Sequence, residues 1–349
     1  MNRKLNLLLV LLVISLAFTS CYKREAGVGP EQDIYVFAPP SVWEKLQKPL
    51  ETVFSKGVVT PQYEKYFRLR YIKNSNELDR YTLHRNLLFV STLESKGPIA
   101  DLVRKSISSS EMLADVKSGK NFLFKKENQW AKDQVLLILV SVNTDSLAKK
   151  IIKYKDQIFN IYDRHYRKQV QAQMFTKYEN KKLEKELLRK YQWTIRLQPD
   201  YSLAWASPDS GFVFFRRRNP ERWLYVQWIN TDNPSMMTKD WILNERDSIG
   251  VWFYGGDRVN RKYVKFKVIN FNGRRAYQVN GLWENDKNVA GGPFQEYVFY
   301  DEPTGRIYII DCAVFSPGRI YGKLPFLRQL TVMARSFRTI ADIQKEKHE

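Results

Sequence analysis

The sequence predicts an α+β protein, and three observations predict this class. Apolar strands alternate with helices in the first part, a long basic helical stretch follows, and strands joined by turn motifs fill the rest. We therefore expect an N-terminal α/β layer domain, a basic helical connector and a C-terminal antiparallel sheet with packed helices. The predicted segments are a signal peptide over 1–20, a tether over 21–32, the α/β domain over 33–144, the connector over 145–191, the sheet domain over 192–340 and a tail over 341–349.

The N-terminal domain is predicted from short buried strands separated by helices. The expected strands cover 33–39, 66–72 and 86–93, and a hairpin-like pair covers 121–127 and 134–142. The expected helices cover 42–56, 76–85 and about 98–116. Pro49 lies inside the first helical pattern, where proline removes a hydrogen bond and favours a kink or an early break.

The predicted connector is rich in basic residues. Residues 149–190 contain 13 Lys or Arg and 5 Asp or Glu. Such a helix can lie on a membrane surface or bind an acidic partner, or it can present an ordinary solvated face. The polar face carries charges of both signs, which favours the solvated face.

The C-terminal domain is predicted from turn residues between alternating strands. Asn219-Pro220-Glu221, Asn272-Gly273 and residues 302–305 each separate two strand patterns, so we expect three hairpins. A helix is expected within 235–253 with Thr238 as its N-cap, and another within 324–337. These elements predict an antiparallel sheet with helices on it.

The first residues indicate export and lipid attachment. Arg3 and Lys4 precede an apolar run of fourteen residues, which is too short to span a bilayer comfortably and fits a secretory signal. Thr19 and Ser20 then lead into Cys21, and this resembles the lipobox of bacterial lipoproteins, whose cysteine is diacylated. We expect a protein anchored by lipid, in the outer membrane and facing the periplasm.

Composition narrows the class of partner. The chain has 349 residues, a formal net charge of +20 and 44% hydrophobic residues, so it is globular and strongly basic. A basic protein often binds nucleic acid, but export argues against that partner. We expect anionic lipid headgroups, a cell-wall polymer or another envelope protein instead. Cys312 lies in an apolar strand pattern and is expected to be an inert buried thiol.

The stretch "GLWENDKNVAGGPFQEY" at 281–297 holds the main candidate binding residues: Trp283, Glu284, Asp286, Gly291 and Gly292. Glu284, Asp286 and Asn288 place three oxygens like the start of a calcium loop. Val289 stands where such a loop needs glycine, and Gln295 where it needs glutamate, so we predict no calcium site. We interpret residues 285–293 as a turn between strands in which Gly291 and Gly292 permit positive φ.

Two other places are weaker candidates. His84 and Arg85 stand between a predicted helix and a buried strand, as a polar site or as a histidine that caps the helix C-terminus. Arg216 and Arg217 flank a predicted hairpin, where arginines can clamp a phosphate or lie at a solvated tip. The histidines, at 84, 165 and 348, show no ligand spacing, and we predict no metal or cofactor.

Four stretches together resemble a known family. They are "LHRNLLFV" (83–90), "ILNERDS" (242–248), the 281–297 block and "FSPGRIYGKLPFLRQLTVMARSF" (315–337). In this order they resemble domain-of-unknown-function family 4837, envelope lipoproteins typical of Bacteroidota. The resemblance implies an exported, lipid-anchored protein and supplies no catalytic residues. The strand at Pro199–Leu203 and the helix ending at Phe337 are also similar to PsbP-like sandwiches, which usually bind partners.

The expected function is therefore a non-catalytic binding or structural module of the cell envelope. The alternative is a hydrolase-like envelope enzyme that uses carboxylates near Glu284 and Asp286. A serine-hydrolase elbow of the G-x-S-x-G type does not occur in the sequence.

The lipid anchor is testable by removing its attachment residue. Cys21→Ala is expected to move the protein from the membrane fraction to the soluble fraction, because two acyl chains are needed for stable anchoring. Fractionation in low and in high salt measures this. Membrane association of the variant that persists in high salt would contradict the anchor.

Overall fold

The computed structural model describes residues 24–176, 179–317 and 322–347. These described residues form two compact units, one with 24–50 and Leu69–Tyr154, and the other with Glu51–Arg68 and the described residues from Lys155 onwards. The division after Tyr154 falls inside the stretch that we predicted as a connector. Residues 51–68 leave the first unit and fold with the second, which no turn or linker motif indicated.

The N-terminal elements follow the predicted alternation of strands and helices. In chain order they are β1 (Asp33–Phe37), α1 (Pro40–Val53), β2 (Gly57–Val59), β3 (Tyr63–Lys65), β4 (Arg68–Tyr71), α2 (Leu78–Tyr81), β5 (Asn86–Thr92), α3 (Pro98–Ser106), α4 (Ser110–Ser118), β6 (Leu123–Glu127), β7 (Val135–Ser141) and α5 (Thr144–Lys153). A short 3₁₀ turn at Ser75–Glu77 precedes α2.

The first unit is built on a five-stranded sheet in the order β4-β1-β5-β7-β6. The pairs β1–β5 and β5–β7 are parallel, and β6 pairs with β7 antiparallel. β5 and β7 are buried along their whole length, as their apolar runs at 87–90 and 135–140 require. The α/β layer with some antiparallel pairing is confirmed.

Three helix predictions for the N-terminal part need correction. The helix expected over 76–85 is only the four-residue α2, which follows a 3₁₀ turn at Ser75–Glu77. α1 continues through Pro49 to Val53, so the early break does not occur. The helix expected over 98–116 is two helices, α3 and α4. The second begins because the Ser109 hydroxyl accepts a hydrogen bond from the Met112 amide at 3.2 Å, which makes Ser109 an N-cap.

The remaining elements form the second unit with β2 and β3. They are α6 (Lys155–Phe175), α7 (Lys181–Tyr191), β8 (Trp193–Thr194), β9 (Ser202–Ser207), β10 (Phe212–Arg217), β11 (Glu221–Asn230), α8 (Lys239–Phe253), β12 (Arg258–Phe271), β13 (Arg274–Asn285), β14 (Ala290–Asp301), β15 (Arg306–Phe315), α9 (Leu324–Ala334), β16 (Arg338–Thr339) and α10 (Ile340–Glu346).

The core of the second unit is a seven-stranded sheet in the order β12-β13-β14-β15-β11-β10-β9, and all its pairs are antiparallel. Alternate residues of a strand point to opposite faces. On one face Tyr225 and Val298 join a core with Ile242 and Ile249 of α8. On the other face Tyr308 packs on Phe337, just after α9. The predicted antiparallel sheet with packed helices is confirmed.

The turn residues occupy the positions that their sequence indicated. Asn272 and Gly273, with φ of 51° and 88°, turn the chain between β12 and β13. Gly305, with φ of 60°, ends the turn between β14 and β15. The Thr238 hydroxyl accepts a hydrogen bond from the Trp241 amide and caps α8 as predicted.

The predicted signal peptide, Cys21 and His348 lie outside the described residues. Within 24–176, 179–317 and 322–347, no helix has the length and apolar character needed to cross a bilayer.

Candidate functional site

The sheet of the second unit carries a cleft at one end, where two of its hairpins and the end of α8 meet. Its volume is about 420 Å³, within the range of about 300–1,000 Å³ that is usual for ligand sites. Its lining is aromatic with a few polar groups: Phe214, Arg216, Glu221, Trp223, Phe253, Tyr254, Asp257, Trp283, Asn285, Asn288, Ala290 and Phe315. We call it the aromatic cleft.

The floor of the aromatic cleft is formed by packed rings. Trp223 on β11 lies 5.4 Å from Trp283 on β13 and stacks on Tyr254 at 5.7 Å, measured between ring centroids. Phe214 meets Tyr254 edge-on at 5.0 Å. Offset and edge-on ring pairs of this kind add about 0.5–1.5 kcal/mol each beyond the area that they bury. The floor is therefore held rigidly before any ligand arrives.

The polar groups of the aromatic cleft are linked to one another. The Asn285 amide nitrogen donates to Asp257 Oδ1 at 2.7 Å, and Asn285 Oδ1 accepts from the Asn288 backbone amide at 3.0 Å. Burial raises the pKa of the Asp257 carboxyl, and the hydrogen bond from Asn285 partly offsets that shift. Arg216 forms an ion pair with Glu221. The rim thus offers amide and carboxylate groups in fixed positions.

The 281–297 stretch is mostly strand, which corrects our prediction of a loop over 285–293. β13 continues to Asn285 and β14 begins at Ala290, so the turn is only four residues long. Positive φ occurs at Val289, at 47°, and not at Gly291 or Gly292. Hairpin geometry alone therefore does not explain the two glycines.

Close packing explains the glycine pair. A Cβ on Gly292 would lie 2.0 Å from the Val314 carbonyl oxygen and 3.1 Å from Trp283 Nε1, and a Cβ on Gly291 would lie 3.0 Å from the Trp283 carbonyl oxygen. Glycine is the residue that permits this approach. The pair lets β15 and the Trp283 ring close the cleft floor.

The candidate carboxylates do not line the aromatic cleft. Glu284 is exposed and accepts a hydrogen bond from the Asn260 amide at 2.7 Å, while Asp286 is exposed in the four-residue turn. Of the candidate residues Trp283, Glu284 and Asp286, Trp283 alone contributes to the lining of the cleft. In the part of the chain that the structure describes, no three His, Cys, Asp or Glu residues are grouped to hold a metal ion.

The two arginines of the β10–β11 hairpin are each paired with an acid. Arg216 pairs with Glu221, and Arg217 Nη2 lies 2.5 Å from Asp200 Oδ2. Both guanidinium groups are therefore already neutralised within the protein. That arrangement disfavours the phosphate clamp that we considered.

His84 and Arg85 belong to the first unit. The His84 ring packs against Tyr35 at 4.2 Å and Tyr81 at 5.1 Å, and a Cβ on Gly29 would lie 2.6 Å from it. Burial lowers the pKa of His84. This is the environment of a packed, neutral histidine.

Beneath the aromatic cleft lies a set of buried charges that we did not anticipate. Arg246 on α8 and Asp311 on β15 are 5% and 0% exposed, and two of their nitrogen–oxygen distances are 3.3 Å. Glu296 on β14 is directly opposite Asp311 and fully buried. The Tyr225 hydroxyl, from β11 on the other side of Asp311, donates to Glu296 Oε1 at 3.2 Å.

The buried set contains two carboxyls and one arginine. Burial raises the pKa of Glu296 well above its ordinary value, and the charge of Asp311 raises it further. Asp311 has the more direct contact with Arg246, so we assign the negative charge to Asp311 and the proton to Glu296. A single acid inside the apolar stretch "IYIIDCAVF" was the signal that could have identified Asp311, because a buried charge needs a partner.

Cys312 behaves as predicted. It is buried and free, and burial raises the pKa of its thiol well above the ordinary value. A thiol in this state is a poor nucleophile.

Comparison with family models finds two matches. Residues 179–336 match "Domain of unknown function (DUF4837)", and residues 27–175 match "Domain of unknown function (DUF8532)". The comparison with curated proteins finds no match.

Solved structures show only distant likeness. The Ran-binding protein Mog1p of Saccharomyces cerevisiae has 11% identity and a TM-score of 0.30, over 43% of this chain and 90% of its own. A protein of Bacteroides thetaiotaomicron has 5% identity and a TM-score of 0.27, over 43% and 46%. Protein PA94 of Pseudomonas aeruginosa has 13% identity and a TM-score of 0.24, over 40% and 94%. We draw nothing about function from likeness at this level.

The protonated state of Glu296 predicts a specific pH dependence of stability. Above the ordinary glutamate pKa the unfolded chain loses this proton while the folded chain keeps it, so the folded state binds more protons and the free energy of unfolding falls as pH rises. The slope for this one group is about 1.4 kcal/mol per pH unit, up to the folded-state pKa.

Glu296→Gln, which imitates the protonated carboxyl, is expected to remove that slope. Urea unfolding of wild type and variant between pH 5 and pH 8 measures the difference, which should grow with pH in favour of the variant. Glu302→Gln, at an exposed turn, is the control and should follow wild type. Parallel profiles for wild type and Glu296→Gln would show that Glu296 is ionised in the folded protein.

Proposed function

We infer that the chain carries two domains of unknown function in tandem, because its C-terminal part matches the DUF4837 family and its N-terminal part matches the DUF8532 family. Neither description assigns an activity. The evidence for a function therefore lies in the residues of the site itself.

We propose that the protein is an exported, lipid-anchored envelope protein whose C-terminal sheet domain binds a partner or ligand without catalysing a reaction. The aromatic cleft is the observation that carries the binding role. It combines a preformed aromatic floor with a small number of fixed polar groups, which is the usual composition of a binding site. The sequence of residues 1–21 supports export and the anchor at Cys21.

The position of the carboxylates favours binding over hydrolysis. A pair of carboxylates that acts on a bound substrate must face the same site, within reach of the reacting atoms. Glu284 and Asp286 are exposed and line no part of the aromatic cleft, while Asp257 in the cleft is hydrogen-bonded to Asn285. We therefore keep the enzyme as the alternative that the experiment must exclude.

The experiment places a photo-crosslinking residue inside the aromatic cleft in intact cells. p-Benzoylphenylalanine replaces Asn288, which is exposed and lines the cleft, and in a matched control it replaces Glu302, also exposed. β14 separates these two turns by roughly 35–40 Å, at about 3.3 Å per residue. We expect an adduct from position 288 and none from position 302.

A second comparison separates binding from catalysis. The adduct at position 288 should persist when Glu284→Gln and Asp286→Asn are added, because these side chains do not line the cleft. Equal labelling from positions 288 and 302 would show that the cleft is not the binding site. Loss of the adduct in the carboxylate variants, with folding unchanged by circular dichroism, would favour the enzyme.

A further inference from the structure

The charge of the aromatic cleft differs from that of the whole protein. The chain has a formal net charge of +20. Among the described residues that line the cleft, the charged ones are Arg216, Glu221 and Asp257, and the first two pair with each other. This leaves one carboxyl and no unpaired cation. A phosphate, an anionic headgroup or an acidic peptide would find no complementary charge there.

The polar groups of the cleft suit hydroxyls. The Asn288 side chain is exposed and offers both a donor and an acceptor, and the carboxylates of Glu221 and Asp257 add acceptors. A hydroxyl also donates and accepts, so it can use either kind of partner. Backbone groups of the cleft offer a ligand fewer hydrogen bonds than these side chains do. The strands that carry Phe214, Glu221 and Trp283 are already paired with neighbouring strands of the sheet. A peptide would therefore have few backbone partners.

The apolar part of the cleft consists of aromatic ring surface, with Ala290 as the one aliphatic side chain among the described lining residues. Phe214, Phe253, Tyr254 and Phe315 are half-buried and line it. Outside the cleft, Trp205 on the edge strand β9 is 56% exposed and lies 6.3 Å from Phe253, so ring surface continues beyond the opening. Flat, rigid rings pack against the C–H faces of a sugar ring, while its hydroxyls reach the polar groups at its edge.

We propose that the aromatic cleft binds an uncharged saccharide chain, with one sugar ring inside the cleft and a neighbouring ring on Trp205. This inference rests on the proposed binding function and names its ligand class. Ring surface, the lack of an unpaired cation in the lining, and mixed donors and acceptors together favour a sugar over an anionic ligand. A proline-rich or aromatic peptide is the competing occupant that the test distinguishes.

The test uses the purified chain without residues 1–21 and a glycan array that contains neutral and anionic oligosaccharides, followed by titration of tryptophan fluorescence. The probes for titration are the tetramers of N-acetylglucosamine and of β-1,4-linked glucose, the best neutral glycan from the array, and a proline-rich decapeptide. We expect at least one neutral glycan to bind and the anionic glycans to bind more weakly.

Three variants locate the binding. Phe315→Ala, which removes ring surface from the cleft, and the exposed change Trp205→Ala should each weaken glycan binding at least fivefold. Trp252→Ala is the matched control, since Trp252 is 69% exposed and does not line the cleft, and it should change binding less than twofold. Circular dichroism checks that each variant folds.

Three results would overturn the inference: no neutral glycan binds, the peptide binds in preference, or Trp252→Ala weakens binding as much as Trp205→Ala. Failure of the saccharide inference is distinguishable from failure of the proposed function. If position 288 crosslinks to another protein in intact cells, the cleft keeps its binding role but its ligand is that protein and not a saccharide.

Discussion

The buried ion pair between Arg246 and Asp311 is the interaction on which the second unit depends. Asp311 lies in the middle of the sheet and has Tyr225 and Glu296 as its neighbours on the adjacent strands. Arg246 reaches it from α8 and also lies 3.8 Å above the Phe294 ring. One guanidinium thus fixes a helix against two strands, β14 and β15. An unpaired charge here would cost several kcal/mol, so the pair also excludes other placements of α8.

The aromatic cleft is a consequence of that placement. Phe253 and Tyr254 come at the C-terminal end of α8, seven and eight residues after Arg246. Tyr254 meets Phe214 and Trp223, and Phe253 stacks on Phe212, only if α8 lies where the ion pair holds it. Gly292 contributes from the opposite side, since it lets Val314 and the Trp283 ring approach. The cleft therefore combines residues that are far apart in the sequence. The buried Arg246–Asp311 ion pair and the close packing at Gly292 hold them in place.

Local sequence patterns predicted most of the fold and little of the site. Asn272-Gly273 and Thr238 act through their own backbone or the next turn of chain, so their roles could be assigned from neighbouring residues alone. The sequence indicated Gly291 and Gly292, but positive φ was the wrong reason for them, because the atoms that crowd these glycines belong to β13 and β15. Arg246 and Asp311 are 65 residues apart, and the helical and strand periods of a sequence do not indicate a pairing over that distance. Residues 51–68 pack with the second unit through contacts that are likewise distant in the sequence.

The central claim is that Arg246 and Asp311 act as one energetic unit, and a double-mutant cycle tests it most directly. Arg246→Met and Asp311→Asn are each compared with the double variant by urea unfolding at pH 7. We expect each single change to cost about 3–5 kcal/mol, since it leaves one buried partner uncompensated, and the double change to cost clearly less than the sum. Costs that simply add would contradict the account, because they would mean that α8 is held by other contacts.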